Sequence, residues 1–477
     1  MKIVFIIKMI TISDPLGIMI LSSVLKKSGH DTDLVCFKTD NVFEKLKELK
    51  PDIVAYSITT GNHKEYIELN KKIKKELKVY SIFGGPHPTF YPEMINEEGV
   101  DAICRGEGEE AFLDFIKRYK KDKNYEKTKN FWVKKGSRIY KNCLRKPIHD
   151  LDSLPFPDRE MIYKKDNLLK DLKIKRFITS RGCPFKCTYC FNRQYNQLYS
   201  TVKGKLVRQR SVNNVIEEIK YVKENFPLGV VKFVDDTFNM NKTWLFDFCD
   251  KYKKEINLPF ICNIRADLMT DEVAEKLKSA NCILVYMGIE TGDEKIRKEI
   301  LERNMSNEQI INACKIIKEK GIKLTSQNML GLPGEDLDYS FKTISLNSLC
   351  KPDLPGFSIF QPYPGTVLST YSIENNYFDG DFDKLGSSYL STTVLNYSDF
   401  DKRRLENLYK LSIIAVKFPI FHPIIKQLIK FPKNKLYDFV YFVSYGWSQW
   451  KIYSIIFGSK LETIKSIRKF SDYLFKT

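Results

Sequence analysis

No run of eighteen or more apolar residues occurs in the sequence, so hydropathy gives no sign of a membrane-crossing helix. The apolar opening, Met1–Lys8, is too short for a secretory leader and lacks a small-residue cleavage site, so it reads as a first buried strand. The eleven cysteines are odd in number and follow no disulfide framework, which argues against a secreted cross-linked protein and favours a reducing cytoplasm. Acid is in deficit: 59 Asp+Glu stand against 78 Lys+Arg, a formal charge of +19. The lysines are spread along the whole chain, so genome-wide compositional bias explains the excess as well as an anionic partner does. No solenoid-type repeat is present.

The 477 residues exceed one ordinary domain. Residues 1–120 alternate strand and helix patterns, with strands at Lys2–Ile7, Thr32–Cys36, Ile53–Ser57, Val79–Phe83 and Ala102–Cys104. This predicts a doubly wound parallel sheet, whose ligands bind beyond the carboxyl ends of the strands. Those ends carry Asp14-Pro15-Leu16-Gly17, Ser57-Ile58-Thr59, Gly84-Gly85-Pro86-His87 and Arg105-Gly106-Glu107-Gly108. Residues 121–172 read as a polar connector holding one small hairpin, Phe131–Val133 with Arg138–Tyr140. A second series of strands follows within 173–370: Arg176–Ser180, Val230–Val234, Phe260–Ile264, Leu284–Ile289, Leu324–Leu330 and Gly356–Gln361. Helical patterns separate them, including one at Glu294–Leu301, and the series predicts a partial parallel (β/α)6 barrel with its chemistry at the C-terminal strand ends. The remainder, 371–477, reads as a basic helical region; Asp401–Thr477 holds 15 Lys+Arg against 5 Asp+Glu.

The strongest signal is Arg181-Gly182-Cys183-Pro184-Phe185-Lys186-Cys187-Thr188-Tyr189-Cys190. Three thiolates on one short loop can wrap a face of a cubane cluster, which normally takes four cysteines. One iron then lacks a protein ligand, as substrate-binding chemistry requires. A zinc site completed by a distant His or Cys competes, but no second Cys-x2–4-Cys knuckle is present. Most of the other eight cysteines sit in apolar strand or helix patterns, where core packing as small buried hydrophobes is the default reading.

The cysteine motif, with Tyr189 before its last cysteine, resembles that of the radical S-adenosylmethionine (SAM) superfamily. The likeness continues through Phe233–Phe238, Asn263–Asp267, Met287–Gly292 and Asn328–Glu335, in the family's order. It implies a 4Fe-4S cluster on Cys183, Cys187 and Cys190, and SAM held near Tyr189, Asp235, Asp236, Arg265, Glu290, Gly331 and Gly334. An acid, Asp235 or Asp236, would take the SAM ammonium, Arg265 the carboxylate and Glu290 the ribose, with Gly331 and Gly334 beside the adenine. For each of these the ordinary alternative is a helix cap or a turn. The implied chemistry is one-electron cleavage of SAM to methionine and a 5′-deoxyadenosyl radical, which takes a hydrogen atom from an unactivated position.

A doubly wound domain before such a barrel resembles the cobalamin-binding subfamily, which includes methyltransferases acting on unactivated carbon and an anaerobic ring cyclase. The likeness places cobalamin against Asp14, Leu16, Gly17, Ser57, Thr59, Gly84, Gly85, His87, Gly106 and Glu107. The loop Lys8–Gly17 departs from many cobalamin domains in having no histidine for cobalt. Methyl transfer to carbon is the leading expectation; cyclisation or carbon–carbon coupling, and a non-catalytic cobalamin- or metal-binding regulator, are the alternatives. Expected partners are a small-molecule or lipid-like substrate and an external one-electron donor such as flavodoxin or ferredoxin. The interleaved aromatics and lysines of 401–477 would suit a packed cap, peripheral membrane contact or, less well, nucleic acid.

Overall fold

The structure, a computed structural model, describes residues 1–457 except 12, 203 and 387–391. Strand β1 (Lys2–Ile7) pairs in parallel with β2 (Asp31–Cys36) and β3 (Ile53–Ser57), and β4 (Tyr80–Gly84) and β5 (Ala102–Cys104) continue the parallel sheet. Parallel neighbours need crossovers, and the helices Leu16–Lys27, Val42–Leu49, His63–Glu76 and Glu109–Lys120 include those that supply them. The sheet is covered on both faces, so β1 is apolar from Ile3 onward: Ile3, Phe5 and Ile7 enter one core, Val4 and Ile6 the other.

The hairpin foreseen in the linking stretch forms as β6 (Phe131–Lys135) and β7 (Arg138–Lys141). It does not stand apart; β6 pairs antiparallel with β5, giving a seven-stranded sheet in the order β2-β1-β3-β4-β5-β6-β7. Phe131 and Val133 are wholly buried against the core helix Glu109–Lys120, and that apolar contact draws the hairpin in.

The second sheet holds β8 (Ile174–Phe177), and a short β9 (Ser180–Arg181) pairs with β10 (Arg208–Gln209) just beyond it. Then come β11 (Val230–Phe233), β12 (Phe260–Ile264), β13 (Cys282–Glu290), β14 (Lys323–Leu330) and β15 (Leu354–Ile359). All six barrel strands are parallel, in the order β15-β14-β13-β12-β11-β8. The expected strand Arg176–Ser180 stops at Phe177, because buried Asp235 takes the Thr179 amide out of the ladder. The helix expected at Glu294–Leu301 is a wide π turn, Ile296–Ile300. There the fully buried Arg297 donates to the Thr291 and Met305 carbonyls and to Asn307, fixing the chain around its guanidinium.

The C-terminal region is helical as expected. Asp399–Lys417 packs on β15 and on the barrel helix Leu337–Cys350 through Leu405, Leu408 and Leu411, and Lys435–Phe457 packs outside it. No helix among the described residues is long and apolar enough to cross a membrane.

First sheet and barrel meet across a buried ionic knot. Arg159, 2% exposed, lies 3.5 Å from Asp14 and 3.2 Å from Glu218, and it donates to the Arg176 carbonyl. Asp14 in turn accepts from Tyr163 and from the Arg176 amide. Removing the guanidinium takes the nearest cation from buried Asp14, while Glu218 keeps its pair with Arg210. Arg159→Leu is expected to lower stability by about 3–5 kcal/mol, read as a fall in the midpoint of urea unfolding.

Candidate cofactor site

The cysteine loop starts where β9 ends. Gly182 sits at φ +84°, and a Cβ there would strike the Leu206 carbonyl, so the sharp entry to the loop needs glycine. Thr188 pins the far side of the loop: its amide donates to the Leu301 carbonyl at 3.1 Å and its hydroxyl to the Ile300 carbonyl at 2.6 Å. Cys183 and Cys187 are buried and Cys190 half-buried.

Each sulfur has a polar neighbour. The Thr237 hydroxyl lies 3.6 Å from Cys183, and the Asn192 amide donates to Cys190 at 3.6 Å. Cys187 receives two guanidiniums, from Arg265 at 3.7 Å and Arg303 at 3.9 Å. Burial pushes the Cys183 thiol up and that of Cys190 to about 11, so a bound cation is what would hold both as thiolates. Among the described residues no three His, Cys, Asp or Glu side chains converge as a single metal ion would require. A cubane spreads its ligands over separate irons and does not ask for that.

The barrel residues expected around SAM divide into two groups. Asp236 lies close to Cys183 and Cys190 and lines the adjoining cavity; burial raises its carboxyl against the lowering bond from Asn192. Its neighbour Asp235 is spent on structure, accepting from the Thr179 amide and hydroxyl and from Ser180. Glu290, at φ +70°, is raised by burial and opposed chiefly by Arg303. Tyr189 lies 3.4 Å from Arg303. Arg265 turns its fork on Asp267 at 2.9 and 2.8 Å and stacks its guanidinium 3.5 Å from the Phe185 ring centroid, so most of its donors are committed. Gly331 and Gly334 have a different explanation: both lie at positive φ, where a Cβ would meet Leu405 and Tyr377 of the C-terminal region.

A cavity of about 400 Å³ lies between the C-terminal ends of the first sheet and the cysteine loop. Leu16, Gly17 and Ser57 line it from the first domain, followed by Gly84, Gly85, Gly106 and Glu107. The opposite wall brings Arg181, Gly182, Asn192, Tyr195 and Asp236. Gly85 sits at φ +94°, and a Cβ would come within 2.8 Å of the Ile58 carbonyl. The cavity is mostly apolar with a few convergent polar groups, as cofactor sites are. Glu109 Oε2 is buried at its edge without a partner and would accept from an amide such as the corrin periphery carries. Arg303 Nε is a second buried orphan, a donor beside Cys187. The residues present therefore suit the cluster and the face of a corrin, though a whole cobalamin is larger than the cavity.

Three residues expected at cobalamin lie elsewhere. Asp14 belongs to the Arg159 knot, and Thr59 is exposed. His87 is buried with its ring stacked on His63 at 4.2 Å; Thr60 lies 2.9 Å from its Nδ1, and Asp383 lies 3.1 Å from His63. The fold also uses residues outside any recognised motif. Arg303 sits in a loop and Arg208 on the two-residue strand β10, with partners far away in sequence, while Asn192 and Tyr195 lie on the short helix after the cysteines, and only that proximity could have pointed to them.

The site is thus a cysteine loop at the mouth of a six-stranded parallel barrel, facing a cavity of a doubly wound domain. Residues 177–345 match the family model of the radical SAM superfamily, and residues 3–116 match that of the B12 binding domain. The chain is 29% identical to an uncharacterized methyltransferase of Pyrococcus horikoshii, over 77% of this chain and 80% of that one. It is 27% identical to the anaerobic magnesium-protoporphyrin IX monomethyl ester cyclase of Cereibacter sphaeroides, over 74% of this chain and 59% of that one. The fold matches the radical SAM methyltransferase TsrM of Kitasatospora setae, solved with cobalamin and a [4Fe-4S] cluster: TM-score 0.67, 14% identity, 88% of this chain and 90% of that one.

Burial, and next the neighbouring His63, lowers the His87 imidazole to about 3. The folded state thus keeps the ring neutral, while the unfolded chain takes up a proton below about 6.5. This contribution to stability is whole above pH 6.5 and is lost as the pH falls toward 3. His87→Gln is expected to flatten the fall in thermal midpoint between pH 6.5 and pH 5, measured by circular dichroism.

Proposed function

We propose that this radical SAM enzyme transfers a methyl group to an unactivated carbon with the help of cobalamin. The cavity carries the proposal: residues of the first domain and of the cysteine loop line one space, so a group held by the first would lie beside a cluster held by the second. When bound, a 4Fe-4S cluster supplies the electron that breaks a carbon–sulfur bond of SAM, and cobalamin supplies a transferable methyl group.

The chain's own residues then bind and orient. Cys183, Cys187 and Cys190 hold iron, while Thr237, Asn192, Arg265 and Arg303 steady the sulfurs. Asp236, raised by burial, is suited to accept a SAM ammonium, which would restore its charge. Arg303, with its unpartnered Nε, takes over the role first given to Arg265, pairing with the carboxylate. Glu290 and Tyr189 stand beside it for the ribose end. Leu16, Gly17, Ser57, Gly84, Gly85 and Gly106 give the corrin a close, largely side-chain-free wall. On this division 1–120 holds cobalamin, 121–172 links, 173–370 holds cluster and SAM, and 371–477 covers the barrel's outer side. The substrate is a small or lipid-like molecule, and electrons come from an external carrier. The likeness to the cyclase favours a second reading, oxidative cyclisation, over the same cofactors.

Anaerobic reconstitution tests the proposal. The full chain should turn SAM into 5′-deoxyadenosine and S-adenosylhomocysteine together; 5′-deoxyadenosine alone would favour cyclisation. Cys187→Ala should lose the iron–sulfur absorbance and all cleavage. A Cβ on Gly17 would meet nothing within 4 Å, so Gly17→Phe fills the cavity without backbone strain. It should weaken cobalamin uptake at least about tenfold by area lost to the ligand, with iron content unchanged. Arg303→Gln should lower the cluster's midpoint potential, because hydrogen bonds to ligand sulfur raise it.

A further inference from the structure

Among the described residues, ten of the fifteen exposed large hydrophobic side chains fall within thirty residues, Phe418–Trp447, all in the C-terminal region. A patch of that density on a folded surface marks an interaction site. The helix Lys435–Phe457 explains part of it. Tyr437, Val440, Tyr441 and Tyr445 pack inward against the helix Asp399–Lys417 and the neighbouring core, while Leu436, Phe439, Val443 and Trp447 recur at three- and four-residue steps on the other side, with Phe442 beside them. The helix is thus apolar on two faces, and on the outward one Leu436, Phe439, Phe442 and Val443 are at least half exposed among the described residues. The segment before it continues the surface. Ile420 is 80% exposed and Ile424 and Phe431 each 56%, and an apolar groove of about 660 Å³ runs between these residues and the helix.

Charge supplies the rest. From Lys417 through Lys435 there are five lysines and no acid. Lys426, Lys430, Lys433 and Lys435 are all exposed among the apolar side chains. Some of these make surface pairs, Lys426 with Asp338 and Lys433 with Glu406, but the stretch itself holds no acid to offset them. Exposed aromatics ringed by long cationic side chains match the boundary of an anionic bilayer, where rings enter the acyl region and lysine stems reach back to phosphate.

We propose that Phe418–Trp447 is a membrane-docking surface that seats the protein on anionic phospholipid, lying on the bilayer and not crossing it. Its apolar residues contact the acyl boundary and its lysines the headgroups.

Flotation of the full chain, reconstituted with iron, tests this with vesicles of phosphatidylcholine alone and with about 30% phosphatidylglycerol, a composition on the order of natural anionic surfaces. Binding should be at least tenfold tighter to the anionic vesicles and fall with salt. Phe439→Ser with Phe442→Ser should reduce it at least tenfold, leaving iron content and thermal unfolding unchanged because both rings are exposed. Lys430→Glu with Lys435→Glu should remove the preference for anionic lipid. No binding to either vesicle overturns the proposal. So does equal binding to both, or a dimer in sedimentation that the phenylalanine pair dissolves, which would assign the surface to a second copy. If deleting residues 458–477 is needed before any vesicle binds, the chain's own tail covers the surface and the proposal also fails.

Discussion

The spacing between the cysteine loop and the first sheet depends on an ionic clamp at the base of the cavity. Arg181, the residue before Gly182-Cys183, donates to Glu107 at 3.1 Å and to Glu109 at 2.5 Å, both at the end of the first sheet's β5. Arg208, on the strand paired with Arg181, adds 2.8 Å to Glu107 and reaches the Ile148 carbonyl. Burial alone would raise the Glu107 carboxyl, but Arg208 and Arg181 hold it below its usual value. The cysteine loop and the loop after β5 are thereby fastened at their bases, and the cavity is the space the clamp leaves open. Buried pairs of this kind add little net stability over apolar packing, but losing one partner is costly. Their effect here is to fix relative position.

Neighbouring acids are assigned opposite work by the same geometry. Asp235 and Asp236 are adjacent at the end of β11, so their side chains leave on opposite sides. One is saturated by Thr179 and Ser180 and bends the chain into β9; the other faces the cavity. The guanidiniums divide likewise. Arg265 is tied to Asp267 and Phe185, while Arg303 keeps an unused donor.

Much of this is legible in the amino-acid order alone. Strand–helix alternation points to both sheets, because a parallel strand covered on two faces is written as an unbroken apolar run. The cysteine spacing marks the loop, because three thiolates within eight residues have few other uses. Seven of ten residues expected at cobalamin line the cavity, since the carboxyl-end rule locates loops well. It does not locate side chains within them: Asp14, Thr59 and His87 are in the right loops and point elsewhere. Gly331 and Gly334 mislead for a related reason. A glycine declares that something approaches closely, without declaring what, and here it is the C-terminal region. Arg303 and Arg208 leave no mark, because their partners are distant in the chain.

The hairpin that completes the first sheet has an effect beyond covering the core. β7 is the free edge, and its ends are the exposed cations Arg138 and Lys141, with Lys134 and Lys135 on the adjacent strand. Arg138 lies over Tyr140, and Lys141 and Arg105 over Trp132, so the aromatic surface near this edge is already occupied. The opposite edge, β2, opens with Asp31 and Asp33. A foreign strand seeking main-chain bonds therefore meets charge at either margin, which guards a long apolar sheet against fibril-like growth.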